Sequence, residues 1–445
     1  MNRLILSGLA ALTVTSLLHA GDAPGTPPDS GGPFQHWLEG DHLMGNWDGF
    51  RDRLEGAGID PFLYYTNIMS GNPTGGSKPG FTYVDDFYFG VHLDLDKVAG
   101  WHGASLTISG VNRDGPGLNQ HYIHSQFNEQ QTVGGQNTFF YQLTLEQKLF
   151  NDKLSIKIGR FAASDDLNAS PIYSYYVDNA FNGDIRNVLF DTQFSAYPFA
   201  TWGARVAVKP SPEFYAQVAV FQAWDQIFDA HLNGLNWRFH QDDGVILMAQ
   251  AAWTPEFDKK PVSTESEQDG KTAATEEMKG LPGHYWIGGT FSPWAGYSQF
   301  LSAAKTDNSY GVYAHADQMV YQKRPGSDEG LTLWAASGFY PQGNISIMPL
   351  EVNAGMIYKG LLPGRGEDRA IFGVAWGQFS RDYAQTIEAA GKGDPHYEML
   401  LEGAYRYQVT KFMFVEPDVQ YDVRPAGTGR IPNALVVGAE MGVTF

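Results

Sequence analysis

Residues 432–445 alternate along their whole length: Leu435, Val437, Ala439, Met441, Val443 and Phe445 share one face, and Ala434, Val436, Gly438, Glu440, Gly442 and Thr444 share the other. Successive strand side chains point to opposite faces, so one face here is wholly apolar and the other is mostly small and holds a carboxylate. The pattern recurs in Phe89, Val91, Leu93 and Leu95 against Gly90, His92, Asp94 and Asp96, and in Leu143 and Leu145 against Thr144, Glu146 and Lys148. In residues 411–423, Met413, Val415, Val419, Tyr421 and Val423 oppose Glu416, Asp418, Gln420 and Asp422. Alternation alone also fits a soluble sandwich or propeller. Length separates the cases: these segments run about 9 to 14 residues, the reach of a tilted strand crossing a bilayer, whereas globular strands average about 5 or 6.

Such segments fall at 61–69, 81–96, 103–111, 137–150, 153–161, 199–208, 213–224 and 245–254 in the first half. The second half holds 283–292, 309–322, 329–340, 349–360, 369–379, 396–409, 411–421 and 432–445. About sixteen strands is an even number, as a bacterial single-chain barrel requires. The fold class is therefore all-β, a transmembrane antiparallel β-barrel spanning residues 61–445. With the last strand ending in the periplasm, the short links at 151–152, 209–212, 323–328 and 410 fall on the periplasmic side. The long ones at 112–136, 162–198, 225–244 and 380–395 fall outside, as such barrels arrange them. Residues 255–282 break the pattern, being long, charged and periplasmic; either they form a solvated insertion or the strand parity slips before them.

Residues 1–20 start with Arg3, continue with an apolar run from Leu4 to Leu18 and end Leu18-His19-Ala20, the grammar of a secretory signal peptide. No later stretch approaches 18 consecutive apolar residues, so an exported chain of this kind is soluble or a closed barrel. Residues 21–60 are read as a linker carrying a short helix over 46–56, with Asn46 as cap and Trp47, Phe50, Arg51 and Leu54 on one face against the periplasmic mouth. A net charge of -19 disfavours nucleic acid as a partner. With no cysteine among the 445 residues, disulfides, thiolate metal sites and thiol catalysis are excluded. No HExxH, GxSxG or phosphate-binding glycine loop is present, and the doublets Asp85-Asp86 and Asp165-Asp166 point opposite ways on an extended chain. No enzyme activity, cofactor or metal is expected.

The candidate pore-lining residues are Asp94, Glu146, Lys157, Arg160, Asp166, Arg186, Arg205, Glu402, Arg406, Glu416 and Asp418. Most take the lumen face by alternation, where water makes charge cheaper than on the lipid face. Carboxylates accept and Arg or Lys donates, so rows of them can exchange hydrogen bonds with sugar hydroxyls. Asp166 and Arg186 lie in the 162–198 connection, the longest external one and rich in tyrosine, which suits a loop folded into the lumen that narrows the pore.

Met44-Gly45-Asn46-Trp47-Asp48-Gly49-Phe50-Arg51-Asp52-Arg53-Leu54, Lys157-Ile158-Gly159-Arg160-Phe161 and Asn179-Ala180-Phe181-Asn182-Gly183 resemble segments of OprB-type carbohydrate-selective porins. So do Tyr405-Arg406-Tyr407-Gln408-Val409-Thr410, Pro417-Asp418-Val419-Gln420-Tyr421 and, most specifically, Gly427-Thr428-Gly429-Arg430-Ile431-Pro432-Asn433-Ala434. The resemblance runs from about Asp41 to Phe445. It implies a sixteen-stranded barrel in the bacterial outer membrane, in contact with its lipid, through which small neutral sugars such as glucose diffuse inward. Phe445 resembles the terminal signature read by the barrel-assembly machinery, and homo-oligomer formation is left open. The alternative is a secreted or surface-attached β-rich sugar-binding protein without a pore.

Overall fold

The computed structural model describes residues 33–224, 226–240, 243–268 and 271–445; residues 1–20, expected to be a signal peptide, lie outside them. Two short helices, α1 (Pro33–Glu39) and α2 (Phe50–Gly56), precede the first strand. The first half of the chain contributes β1 (Ile59–Thr74), β2 (Gly80–Asp94), β3 (Ala104–Asp114) and β4 (Thr138–Leu149). After these come β5 (Leu154–Phe161), β6 (Thr201–Ser211), β7 (Phe214–Ala223) and β8 (Gly244–Trp253). β9 (Glu256–Gln268) and β10 (Lys271–Ser298) follow, then β11 (Lys305–Gln322), β12 (Gly330–Phe339) and β13 (Leu350–Lys359). The chain finishes with β14 (Arg369–Gln378), β15 (Tyr397–Thr410), β16 (Met413–Val423) and β17 (Ala434–Thr444).

Each strand pairs antiparallel with its neighbour, and β17 returns to β1 with Thr444 opposite Tyr64, closing the sheet. Closure leaves no edge and satisfies every ladder within the membrane, where no water could do so. Sixteen strands form the barrel, and each of the alternating segments of the sequence is one of them. β9 is the exception. It pairs with Lys271–Pro282, the first part of β10, while Tyr285–Phe291 of the same strand pairs with β8 in the wall. Residues 256–282 are thus a hairpin arm extending from the wall at its short-turn end. The parity does not slip, and the long charged connection is an insertion.

Outward positions carry Val218, Ile287, Val312 and Val437, all exposed. Water-exposed valine and isoleucine at this density make sense only against acyl chains. At the short-turn end Trp253 stacks on Phe214 at 6.1 Å and meets Tyr285 at 5.6 Å, an aromatic edge to that belt. No helix among the described residues is long and apolar enough to cross a membrane.

The N-terminal helices sit against the same end. α2 begins at Phe50 rather than Asn46, because Trp47, Asp48 and Gly49 all take positive φ and turn the chain first. Asn46 still accepts the Asp52 amide at 3.1 Å, a capping contact made from further back. Arg51, buried over Trp47, donates to the Phe445 carbonyl at 2.9 Å. The helix expected at the mouth is there, held to the closing strand.

Candidate functional site: a loop clamped across the lumen

Residues 162–200, between β5 and β6, turn into the barrel. Their apolar side chains explain why. Tyr173, Tyr176, Phe181, Ile185, Val188 and Phe194 are buried against inward-facing Phe221, Ile246, Trp334, Ile371, Ala375 and Leu400. A helical turn, α3 (Arg186–Asp191), lies within this loop. A loop buried this way needs partners for its amides, since an unmet buried N–H costs roughly 1–3 kcal/mol.

Wall carboxylates supply them. Glu402 on β15 accepts the Val177 and Asp178 amides at 2.7 and 3.1 Å. Glu351 on β13 accepts those of Arg186 and Asn187 at 3.3 and 2.5 Å. In the reverse sense, Asp191 of the loop accepts the Ile347 and Met348 amides at 2.6 and 3.1 Å. A second loop, residues 115–137, uses the same device: Glu398 takes Gln126 and Phe127 amides, each at 2.8 Å. Its Gln131 amide donates to the Val177 carbonyl at 2.9 Å, so the two loops are joined.

At the other end of the 162–200 loop lies a charge cluster on β4, β5 and β6. Lys157 meets Asp166 at 3.0 Å, and Arg205 lies 3.6 Å from Asp166 and 3.0 Å from Glu146, with Ser155 bridging Arg205 and Glu146. Burial pushes the Asp166 carboxyl up, but Lys157 and Arg205 beside it outweigh this and hold it below the usual range. Neighbouring Asp165 has no such cation in contact; it accepts from Tyr141 and Gln142, and burial raises it to about 6.

Across the barrel, Arg406 on β15 pairs with Glu416 on β16, lies 3.8 Å from Glu440 on β17 and donates to the Ser174 carbonyl of the loop at 2.9 Å. Tyr175 of the loop stands beneath both Arg406 and Arg369, at 5.2 and 4.6 Å from ring centre to guanidinium. The sequence-predicted residues therefore gather in two groups joined by one loop: Glu146, Lys157, Asp166 and Arg205 on one wall, Glu402, Arg406, Glu416 and Asp418 on the other.

Three placements differ in kind. Arg186 packs over Phe190 at 5.4 Å and gives its amide to Glu351, away from both groups. Asp94 faces inward but ends β2, where it caps the next short helical turn through the Asp96 amide. Arg160 corrects the reading. It shares the outward face of β5 with Ile158, opposite Leu143 and Trp202, and donates to the Ala200 and Asn236 carbonyls under the loop after β7. Alternation explains this: Lys157 and Phe161 point inward, so the even-numbered Arg160 cannot.

Sequence reading missed Glu351, Glu398 and Arg369, and took Tyr175 only as one of the tyrosines of the loop that narrows the pore. Glu398 shares the face of Glu402 and Arg406 by alternation, and Arg369 pairs directly with Arg406, so both were reachable. That the 115–137 loop also enters the lumen had no comparable signal.

An inward-lined, lipid-belted barrel whose interior is crossed by a charged, aromatic loop is an outer-membrane porin. Residues 78–445 match the family model described as carbohydrate-selective porin, OprB family, and the chain belongs to that family. Porin B of Pseudomonas aeruginosa is 25% identical over 99% of this chain and 96% of its own length. A high-pH structure of Pseudomonas putida OprB superimposes with a TM-score of 0.81 at 26% identity, covering 92% of this chain and 99% of that one. A low-pH structure of the same protein gives 0.59 at 24% identity, with the same coverage. These relatives are channels, and the barrel resides in the bacterial outer membrane. A poreless secreted sugar-binding protein is set aside by the lipid-facing belt and the family.

Proposed function

We propose that the barrel lets small neutral sugars, of which glucose and related monosaccharides are the class, diffuse passively into the periplasm past the 162–200 loop. The observation that carries this reading is the loop's attachment to opposite walls, through Asp166 to Lys157 and Arg205 and through Ser174 to Arg406. A solute must pass beside this crossing. Half-exposed Tyr175 and Arg369 on one side and Glu146 on the other offer a ring face, a donor fork and an acceptor, the set a hydroxylated ring can use. Glu402 has a different task, since its oxygens are taken by loop amides; it shapes the passage rather than contacting the solute.

Liposome swelling with glucose, a polyol of like size and a longer oligosaccharide tests this. Glucose should enter faster than the polyol and the oligosaccharide should be excluded, and Tyr175→Ala should reduce the difference between glucose and polyol. Equal rates for glucose and polyol in the unaltered barrel would refute sugar selectivity.

A further inference from the structure

The inner faces of β10 and β11 carry a group of side chains that the clamped loops leave unexplained. In the register His284 lies opposite Asp317 and Trp286 opposite His315, so alternate positions place His284, His315 and Asp317 on one lumenal patch. His315 Nε2 is 2.8 Å and His284 Nδ1 is 3.6 Å from the same oxygen, Asp317 Oδ2. The three ligand atoms all lie within 4.8 Å of one another.

The remaining ring nitrogens are each engaged by a tyrosine hydroxyl from another element. Tyr173 of the inserted loop stands 2.8 Å from His315 Nδ1, and Tyr215 of β7 stands 3.0 Å from His284 Nε2. Trp286 stacks on the His315 ring at 5.1 Å and fixes its plane. This is how metal-binding histidines are oriented: one nitrogen goes to the ion and the other to an oxygen that sets the tautomer. Hydrogen bonding alone accounts for less, because 3.6 Å is too long for His284 to bond the carboxylate. Ligands about 2.0–2.1 Å from a tetrahedral ion sit roughly 3.3 Å apart, and the two separations here bracket that figure. The side chains of His284 and Asp317 are 20% and 14% exposed, which leaves the patch reachable from the lumen.

We propose that His284 Nδ1, His315 Nε2 and the Asp317 carboxylate bind a divalent transition-metal ion of the zinc class, with water completing the coordination. Imidazole and carboxylate suit zinc, and three protein ligands with one open position are a known arrangement for it. The ion would join β10, β11 and, through Tyr173, the inserted loop.

Zinc titrated calorimetrically into the detergent-solubilised barrel tests this, each variant being checked for folding by heat-modifiable migration. One site should bind, and H284Q and D317N should each weaken it about 100-fold or more. Y215F keeps all three ligands but loses the orienting hydroxyl, and should weaken binding about 10- to 100-fold. H102Q/H396Q removes the exposed pairs His102–Asp96 and His396–Asp394 and should leave the site intact. No binding by the unaltered barrel, loss of binding in H102Q/H396Q, or unchanged affinity in both H284Q and Y215F would overturn the assignment. Sugar flux is not part of the readout, so its outcome and this one stand apart.

Discussion

The chain makes two long insertions at opposite ends of the barrel, and they behave in opposite ways. Residues 162–200 fold inward and bury Tyr173, Tyr176, Phe181, Ile185, Val188 and Phe194 against the wall, while the arm at 256–282 pairs mainly with itself. Composition accounts for the contrast. The first carries Tyr173, Tyr176, Phe181, Ile185 and Val188, which gain by leaving water, and the second carries Lys259, Lys260, Glu265, Glu267, Glu276 and Glu277. Length marks an insertion, but only the hydrophobic payload decides whether it becomes part of the lumen.

The contrast can be broken most forcefully at the ion pairs. Arg406→Ala removes a buried cation from Glu416 and Glu440 and the donor to Ser174, and should destabilise the folded barrel by about 3–5 kcal/mol. Lys260→Ala in the arm removes an exposed pair with Asp258 and should cost about 0–1 kcal/mol. Urea unfolding in lipid compares the two, and similar midpoint shifts would erase the distinction between clamped loop and solvated arm.

A smaller effect tests the wall that both insertions leave. Val218 is exposed on the outer face in mid-strand, so Val218→Arg should cost about 2–4 kcal/mol in lipid, whereas Val218→Leu should change little. Equal folding yields for the two would mean the facing assignment is reversed.

The finest test uses pH at the loop's base. Asp165 titrates near 6 in the folded barrel, above its unfolded value, so its contribution to stability is fully present below the unfolded value and lost as pH rises through about 6. Asp166, depressed by its cations, acts oppositely: its contribution is present above the unfolded value and lost as pH falls through the folded one. Asp165→Asn should therefore flatten the fall in stability between about pH 4 and 6, followed by unfolding midpoints at several pH values. An unaltered profile would place Asp165 outside the titration.

The strands were legible because alternation over bilayer length is dictated by two solvents, lipid outside and water or loop inside, and the 255–282 insertion left that alternation intact on either side. Charges on strands were legible for the same reason, and Glu146, Lys157, Arg205, Glu402, Arg406, Glu416 and Asp418 all face inward. Arg160 is the exception, since its parity on β5 puts it on the outer face with Ile158, opposite Leu143 and Trp202. The role of Glu402 was not legible, since which amides a carboxylate accepts depends on where a loop some 225 residues away comes to rest. The inward turn of 115–137 depends likewise on Glu398 and Val177, partners remote in sequence.

Solute size cutoff in liposomes, measured for two excisions, tests the central claim that the inserted loop defines the passage. Shortening residues 171–190 should admit the longer oligosaccharide and abolish the preference for glucose over a polyol of like size, while trimming 258–280 should leave both unchanged. If the loop-shortened barrel, folded by heat-modifiable migration, kept its cutoff and its preference, the passage would be set elsewhere and the account would be wrong.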